Sequence, residues 1–446
     1  MPRKQKIKKN RYTPSGPNAV KLLGGLVADQ SGEIFELDGY AAVGMDGPIL
    51  EPLRVNQARK IPYGSELMFL PDRKPVLFNL ATRHCETLNE NPHAPGGPIY
   101  PVAAFNSPGY VISYISAYVE NQNAQYLPLF SYGAVGWHQG NFHTAVIRVD
   151  SEPRQDLRQM QREDVAAGVD RIRRDLPNNR LRAHLEHCAL HYGCPAAKNF
   201  FLGRYEAPLP TAQSCNARCL GCLSLQEETG ISHSQDRIAF TPSPEEIAEV
   251  ALAHIGRVNN SVVSFGQGCE GDPLLAAEVI EPAIRQIRSQ TPHGTINMNT
   301  NGSRPHVLAR LFDAGLDSIR ISMNSVRAAC YQAYFRPKGY RFADVLKSIE
   351  VGLVSRKFVA VNYLNSPGFT DTPQEIDALS RFLDQYPIHL IQWRNLNFDP
   401  IRYWKVMETA AGHSRPIGMQ KLLDQIRQQF PNIKFGYFNP PKEKFR

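Results

Sequence analysis

The chain has 446 residues, more than one ordinary hydrophobic core fills, so two domains, or a barrel with an added domain, is the starting expectation. Its formal charge of +8 is not a bulk property: Arg3, Lys4, Lys6, Lys8, Lys9 and Arg11 supply six positive charges with no acid among them, leaving +2 for the rest. Composition therefore names no partner. It also offers no apolar run of about 18 residues to cross a membrane, and no secretory signal, since the short apolar run 22–28 follows Lys21 and lacks a small-residue cleavage site.

Taken in chain order, residues 1–20 read as a basic disordered arm. Such an arm can engage RNA, DNA or an anionic surface, or simply stay solvated. Residues 21–150 read as a β-rich N-terminal domain, with LLGGLVADQSGEIFEL, ELMFLPDRKPVLFNL and AVGWHQGNFHTAVIRV each readable as two strands around a turn. Residues 151–204 form a helical connector, in which Val165, Val169, Ile172 and Leu176 recur at helical spacing.

From residue 205 to 446 short apolar strands alternate with amphipathic helices. The strand candidates are 205–211, 261–266, 295–301, 318–324, 358–365 and 389–395. Ser243-Pro244-Glu245-Glu246 and Thr372-Pro373-Gln374-Glu375 each combine an N-cap, a first-turn proline and a capping-box glutamate, while Gly256 and Gly315 are helix stops. The fold class is therefore α/β: six strand-then-helix units with a parallel sheet and right-handed crossovers, curled into a partial (β/α)6 barrel, with its site at the C-terminal strand ends.

The eight cysteines suit metal ligation or reactive thiols in a reducing cytoplasm better than a disulfide framework. Three of them, Cys215, Cys219 and Cys222, lie in SCNARCLGC directly after the first candidate strand. A zinc ribbon needs a second CxxC pair and a ferredoxin-type cluster a fourth cysteine nearby; neither is present. Three thiolates can instead hold three irons of a [4Fe–4S] cluster and leave the fourth iron open to a small molecule.

CxxxCxxC after the first strand of such a unit resembles the radical S-adenosylmethionine (SAM) superfamily, and the resemblance runs from about Tyr205 to Asp399. It implies a [4Fe–4S] cluster on Cys215, Cys219 and Cys222, with SAM chelated at the unique iron. It further implies an electron donor such as flavodoxin or ferredoxin, and reductive cleavage of SAM to methionine and a 5′-deoxyadenosyl radical that abstracts hydrogen from substrate. GQGCEGDPLL (266–275) is similar to the family's Gly-Gly-Glu-Pro motif, with Gly271, Asp272 and Pro273 matching best and Glu270 where glycine is usual. Asn301 of Thr300-Asn301-Gly302, Ser322 and Asn324 after the fourth strand, and Asn365 after the fifth complete the SAM-binding candidates the resemblance implies. Each alone reads equally well as a polar strand end.

One departure stands out: most members carry an aromatic residue before the third cysteine, and this chain has Gly221. Tyr331, Tyr334 and Arg336 are alternatives at the mouth, although the tyrosines also suit core packing. Cys269, inside the motif, reads as a catalytic hydrogen donor, a substrate anchor, a cluster ligand or an inert thiol. Cys188 and Cys194 in HCALHYGC, joined by Cys85, could hold an auxiliary iron–sulfur cluster or be free thiols. The expected reaction leaves the substrate open among peptide or protein modification, RNA modification and glycyl-radical activation. The competing class is a non-catalytic iron–sulfur or zinc protein, with nucleic acid as a partner through the basic arm.

Overall fold

The alternating runs of the N-terminal part form antiparallel strands between Gly24 and Arg148 in the computed structural model, which describes residues 21–226, 230–412 and 414–445. The basic arm expected at 1–20 lies outside the described residues. Strands 24–28 and 34–41 pair around a turn in which the Asp29 carboxylate accepts from the N–H groups of Ser31 and Glu33 at 2.8 and 3.0 Å. Strands 135–138 and 141–144 pair likewise. The middle run behaves differently. Strand 66–69 pairs with 100–105, whereas 73–79 pairs with 34–41, 84–87 and 118–120. Buried Leu70 explains the parting, because its N–H bonds the carbonyl of Pro101 and carries the first ladder onward instead of closing a hairpin.

Three helices connect the two halves: α1 (Arg162–Asp175), α2 (Arg180–Leu190) and α3 (Pro195–Leu202). Val165, Val169 and Ile172 are buried as their spacing predicts, and Leu176 becomes the C-cap of α1. The charged residues before Arg162 are not α-helical.

The second half is a parallel sheet whose neighbours follow chain order: β1 (Glu206–Pro208), β2 (Val262–Phe265), β3 (Thr295–Thr300), β4 (Ser318–Met323), β5 (Phe358–Asn365), β6 (Leu390–Asn395) and β7 (Lys434–Gly436). The expected partial barrel is present, with a short seventh strand added by the C-terminal segment. β1 is shorter than the 205–211 run because the N–H groups of Thr211 and Ala212 bond the Glu270 carboxylate rather than a strand. The remaining helices are α4 (Pro244–Ile255), α5 (Ala277–Gln290), α6 (Pro305–Ala314), α7 (Ala328–Phe335), α8 (Phe342–Val354), α9 (Pro373–Gln385), α10 (Pro400–Ala411) and α11 (Met419–Gln429). α4 starts with the predicted capping box of Ser243 and Glu246. α9 does not: Glu375 is buried and its carboxylate accepts from Ser325 Oγ at 2.7 Å and Arg327 at 3.0 Å, so it ties α9 to the start of α7.

Successive strand residues face opposite sides of a sheet. In β4, Ile319, Ile321 and Met323 pack outward under the helices, while Ser318 and Arg320 face a polar lumen and bond Asn297 and Gln392. The N-terminal domain sits on the C-terminal ends of β5 and β6. Asn365 Nδ2 donates to Ile112 O at 3.0 Å, the Ile112 N–H donates to Asn395 Oδ1 at 2.9 Å, and Asn395 Nδ2 donates to Tyr110 O at 2.9 Å. Beside them buried Arg73 reaches both Glu120 and Asp399 at 3.1 Å. A cavity of 480 Å³ remains between the halves, lined by Met45, Gly368, Phe369, Trp404 and Met407 among others.

Candidate active site at the strand ends

The loop carrying Cys215, Cys219 and Cys222 leaves β1 at the C-terminal end of the sheet and is held from two sides. On one side Arg218 N–H donates to Phe335 O, Leu220 N–H to Tyr334 O, and Lys338 N–H to Asn216 O, so the loop lies along the exit of α7. On the other, Gly271 N–H donates to Ala212 O at 2.7 Å and Asp272 N–H to Ser214 O at 3.0 Å. A β-carbon on Gly271 would stand 1.8 Å from Ser214 O, so only glycine allows this approach.

Glu270 has a larger part than its departure from the motif suggests. It is fully enclosed, and its two carboxylate oxygens accept from the backbone N–H groups of Thr211, Ala212, Gly266 and Gln267 at 2.7–3.0 Å. Burial pushes its carboxyl up to about 7, against the lowering pull of those four donors. One side chain thereby joins the base of the cysteine loop to the turn after β2. Asp272, also buried, accepts from Thr300 Oγ1 at 2.8 Å and from Asn301 N–H at 2.7 Å, and Asn301 Nδ2 continues to Asn216 at 2.8 Å. The predicted Asp272, Pro273 and Asn301 thus come together around the loop, with Asp272 and Asn301 spending polar atoms on its support.

The three thiols are partly buried. Burial, with Asp272 adding to it, pushes Cys215 up to about 12, and burial followed by the neighbouring Cys215 raises Cys219 well above the ordinary thiol range. A bound cation reverses that preference, since ligation deprotonates a thiol. Beside the thiols Arg237 donates to Cys222 Sγ at 3.8 Å and to Ser224 Oγ at 3.2 Å.

Gly221 has no room for the ring expected there. A β-carbon would meet Asn397 O at 2.8 Å and the Tyr334 hydroxyl at 2.9 Å. Tyr334 itself is buried in contact with Phe335 and Tyr403, and Tyr331 stacks on Phe335.

The later strand ends divide by parity. Ser322 faces the lumen, opposite Asn362 in the neighbouring strand. Asn324 is instead buried among helices, its Nδ2 donating to Cys330 O and Tyr403 Oη at 3.2 Å. Asn365 is buried too, and its Nδ2 is used by the N-terminal domain. In the otherwise buried β4 to β6, the partly exposed side chains at the ends are Ser322, Asn362, Leu364, Arg394 and Asn395. Asn362 Oδ1 is buried without a partner, and the Arg394 guanidinium lies 3.9 Å from the Tyr437 ring centre. Asn362, Arg320 and Arg394 escaped the sequence reading; the period-two rule applied backwards from Ser322 would have found Arg320, whereas Asn362 is placed only by its register opposite Ser322.

Cys269 turns away from this mouth, towards Cys188 and His184 of α2. Cys85 does not join Cys188 and Cys194: it packs with the N-terminal apolar cluster, while the other two pack with the barrel core.

Residues 209–383 match the model of the radical SAM superfamily. These residues form a radical SAM domain. Among curated proteins, the bovine Molybdenum cofactor biosynthesis protein 1 is 25% identical over 242 residues, covering 52% of this chain and 34% of that protein. GTP 3′,8-cyclase from Heliobacterium modesticaldum is 26% identical over 215 residues, covering 48% of this chain and 58% of the other. The chain therefore spans a third to just over half of the length of these relatives. Among solved structures, native anSMEcpe with bound AdoMet is similar at a TM-score of 0.35 and 14% identity, covering 43% of this chain and 52% of that one. The family implies a [4Fe–4S] cluster and SAM, and the three thiols with the close glycine approach at Gly271 beside them fit both groups.

Proposed function

We propose that this chain is a radical SAM enzyme acting on a polar substrate with an anionic group, taken up at the lumen mouth. Cys215, Cys219 and Cys222 would hold the [4Fe–4S] cluster, and the loop of Gly271, Asp272 and Pro273 would lie beside SAM. When bound, the cluster and SAM together supply a one-electron reductive cleavage that starts hydrogen abstraction. The protein's own part is to fix the cysteine loop through Glu270 and Asp272, to present Ser322, Asn362 and Arg394 to the ligands, and to cover β5 and β6 against water with the N-terminal domain. The reading is carried by the exposure pattern of β4 to β6, where the side chains left partly open at the strand ends are mostly lumen-facing polar ones, and one of them has an unpartnered oxygen. Arg394 favours an anionic substrate, in line with relatives named GTP 3′,8-cyclase. A cytoplasmic setting with flavodoxin or ferredoxin as electron donor belongs to the same proposal.

The test is anaerobic reconstitution followed by measurement of 5′-deoxyadenosine, with GTP as the first substrate probe. Wild-type protein should form it on reduction, and Cys215→Ala, Cys219→Ala or Cys222→Ala should lower the rate by about 10³-fold or more. A wild-type rate in any of the three sinks the assignment. Arg394→Ala should raise the KM for an anionic substrate while leaving substrate-independent SAM cleavage in place.

A further inference from the structure

A second cluster of ligating side chains lies behind the turn after β2, facing the connector. His184 and Cys188 are four residues apart on α2 and so share one helix face. His184 Nε2 stands 3.5 Å from Cys188 Sγ, and these two atoms with Cys269 Sγ all lie within 4.8 Å of one another. Cys188 and Cys269 are buried and His184 is half-buried. The turn from α2 to α3 is held at this end of α2, where the N–H of Cys194 donates to Cys188 O at 3.0 Å.

We propose that His184, Cys188 and Cys269 bind a single zinc-type divalent cation distinct from the cysteine loop. The donor set is the soft sulfur and imidazole mixture that zinc selects. Spacing decides for one ion over a second cubane: ligands at about 2.0–2.3 Å from zinc in a tetrahedron stand about 3.5–3.8 Å apart, the separation seen here between His184 and Cys188. Binding exchanges thiol protons for the metal and needs no oxidant or reductant. The ion would clip two parts of the chain that are distant in sequence. Its Cys269 end is one residue from Glu270, and the Cys269 carbonyl accepts from Ile238 N–H at 2.8 Å. The site stands independently of the SAM chemistry.

The test is metal analysis of the full chain by plasma mass spectrometry, with cobalt replacing zinc as a spectroscopic probe. Wild-type holoprotein should contain about one zinc per chain beside about four irons. The triple Cys215→Ala, Cys219→Ala, Cys222→Ala variant should lose the iron and keep the zinc. Cys188→Ser and Cys269→Ser should do the reverse, and His184→Ala should weaken zinc retention against a chelator. Cobalt added to chelator-treated wild-type protein should give the intense visible bands of tetrahedral thiolate ligation, which keeps the test valid if a variant fails to fold. Zinc well below one equivalent together with no cobalt bands overturns the proposal. So does iron that disappears with Cys188→Ser while the loop cysteines are intact, or a Cys188–Cys269 disulfide found by peptide mass in anaerobically purified protein.

Discussion

Two glycines flank the chemistry for opposite reasons. Gly271 is required by a carbonyl 1.8 Å from where its β-carbon would be, so Gly271→Ala must push Ser214 and the first cysteine apart from the turn. The expected outcome is a loss of about 2 kcal/mol, in the range of overpacked sites, together with poor cluster reconstitution. Thermal unfolding and the visible absorbance of the reconstituted protein check both. An unchanged brown protein would show that the loop moves freely. Gly221 was legible only as an anomaly. Its explanation, a carbonyl and a tyrosine hydroxyl already filling the space of a ring, comes from Asn397 and Tyr334, distant in the chain.

At the scale of elements, the turn after β2 organises the site through one carboxylate. Four backbone donors converge on the enclosed Glu270 carboxylate. Glu270→Gln keeps the shape but aims an NH₂ group at two of those donors. It should cost about 2 kcal/mol, the scale of a buried donor left unmet, and should slow cluster assembly; chemical denaturation read alongside iron content measures this. The same turn shows how far pattern reading goes. The family-like Gly-Asp-Pro was visible, but Glu270 looked like a lapse in the motif because its four partners come from two separate segments. On β5 the sequence singled out Asn365, and only the register with β4 shows that Asn362, three residues earlier and so on the other face, lies opposite the lumen-facing Ser322.

Over the whole molecule, the N-terminal domain is seated on the barrel through buried polar groups. Asp46 and Asp371 form a carboxyl pair across this seam, near the bond from Gly368 N–H to Asp371 Oδ1 at 2.8 Å. Burial, and then the Asp371 charge, raise the Asp46 carboxyl far above its usual range, with Glu51 adding to the effect. The unfolded chain releases this proton near pH 4, while the folded chain keeps it to much higher pH. The contribution is thus fully present below the unfolded value and is lost as the pH rises through the folded one. Asp46→Asn, which needs no proton to bond Asp371, should flatten the fall in melting temperature between about pH 5 and about pH 9. A variant whose melting curve tracks wild type across that range would remove the pair from the account.

By itself the sequence determined the local and the periodic: the helix starts at Ser243, the stop at Gly315, the strand-then-helix alternation and the three cysteines after the first strand. Each rests on neighbours within a few residues, where propensity and spacing suffice. Only the tertiary structure decided which long-range partners close the ladders, as when strand 66–69 leaves its sequence neighbour for 100–105. The same holds for which thiols meet. Cys188 was expected to gather with Cys194 and Cys85, yet the thiol beside it is that of Cys269, because α2 packs beside the turn after β2. Side-chain spacing is inherited from local backbone geometry, but the approach of distant segments is set by the burial of whole faces, which no short window of sequence contains.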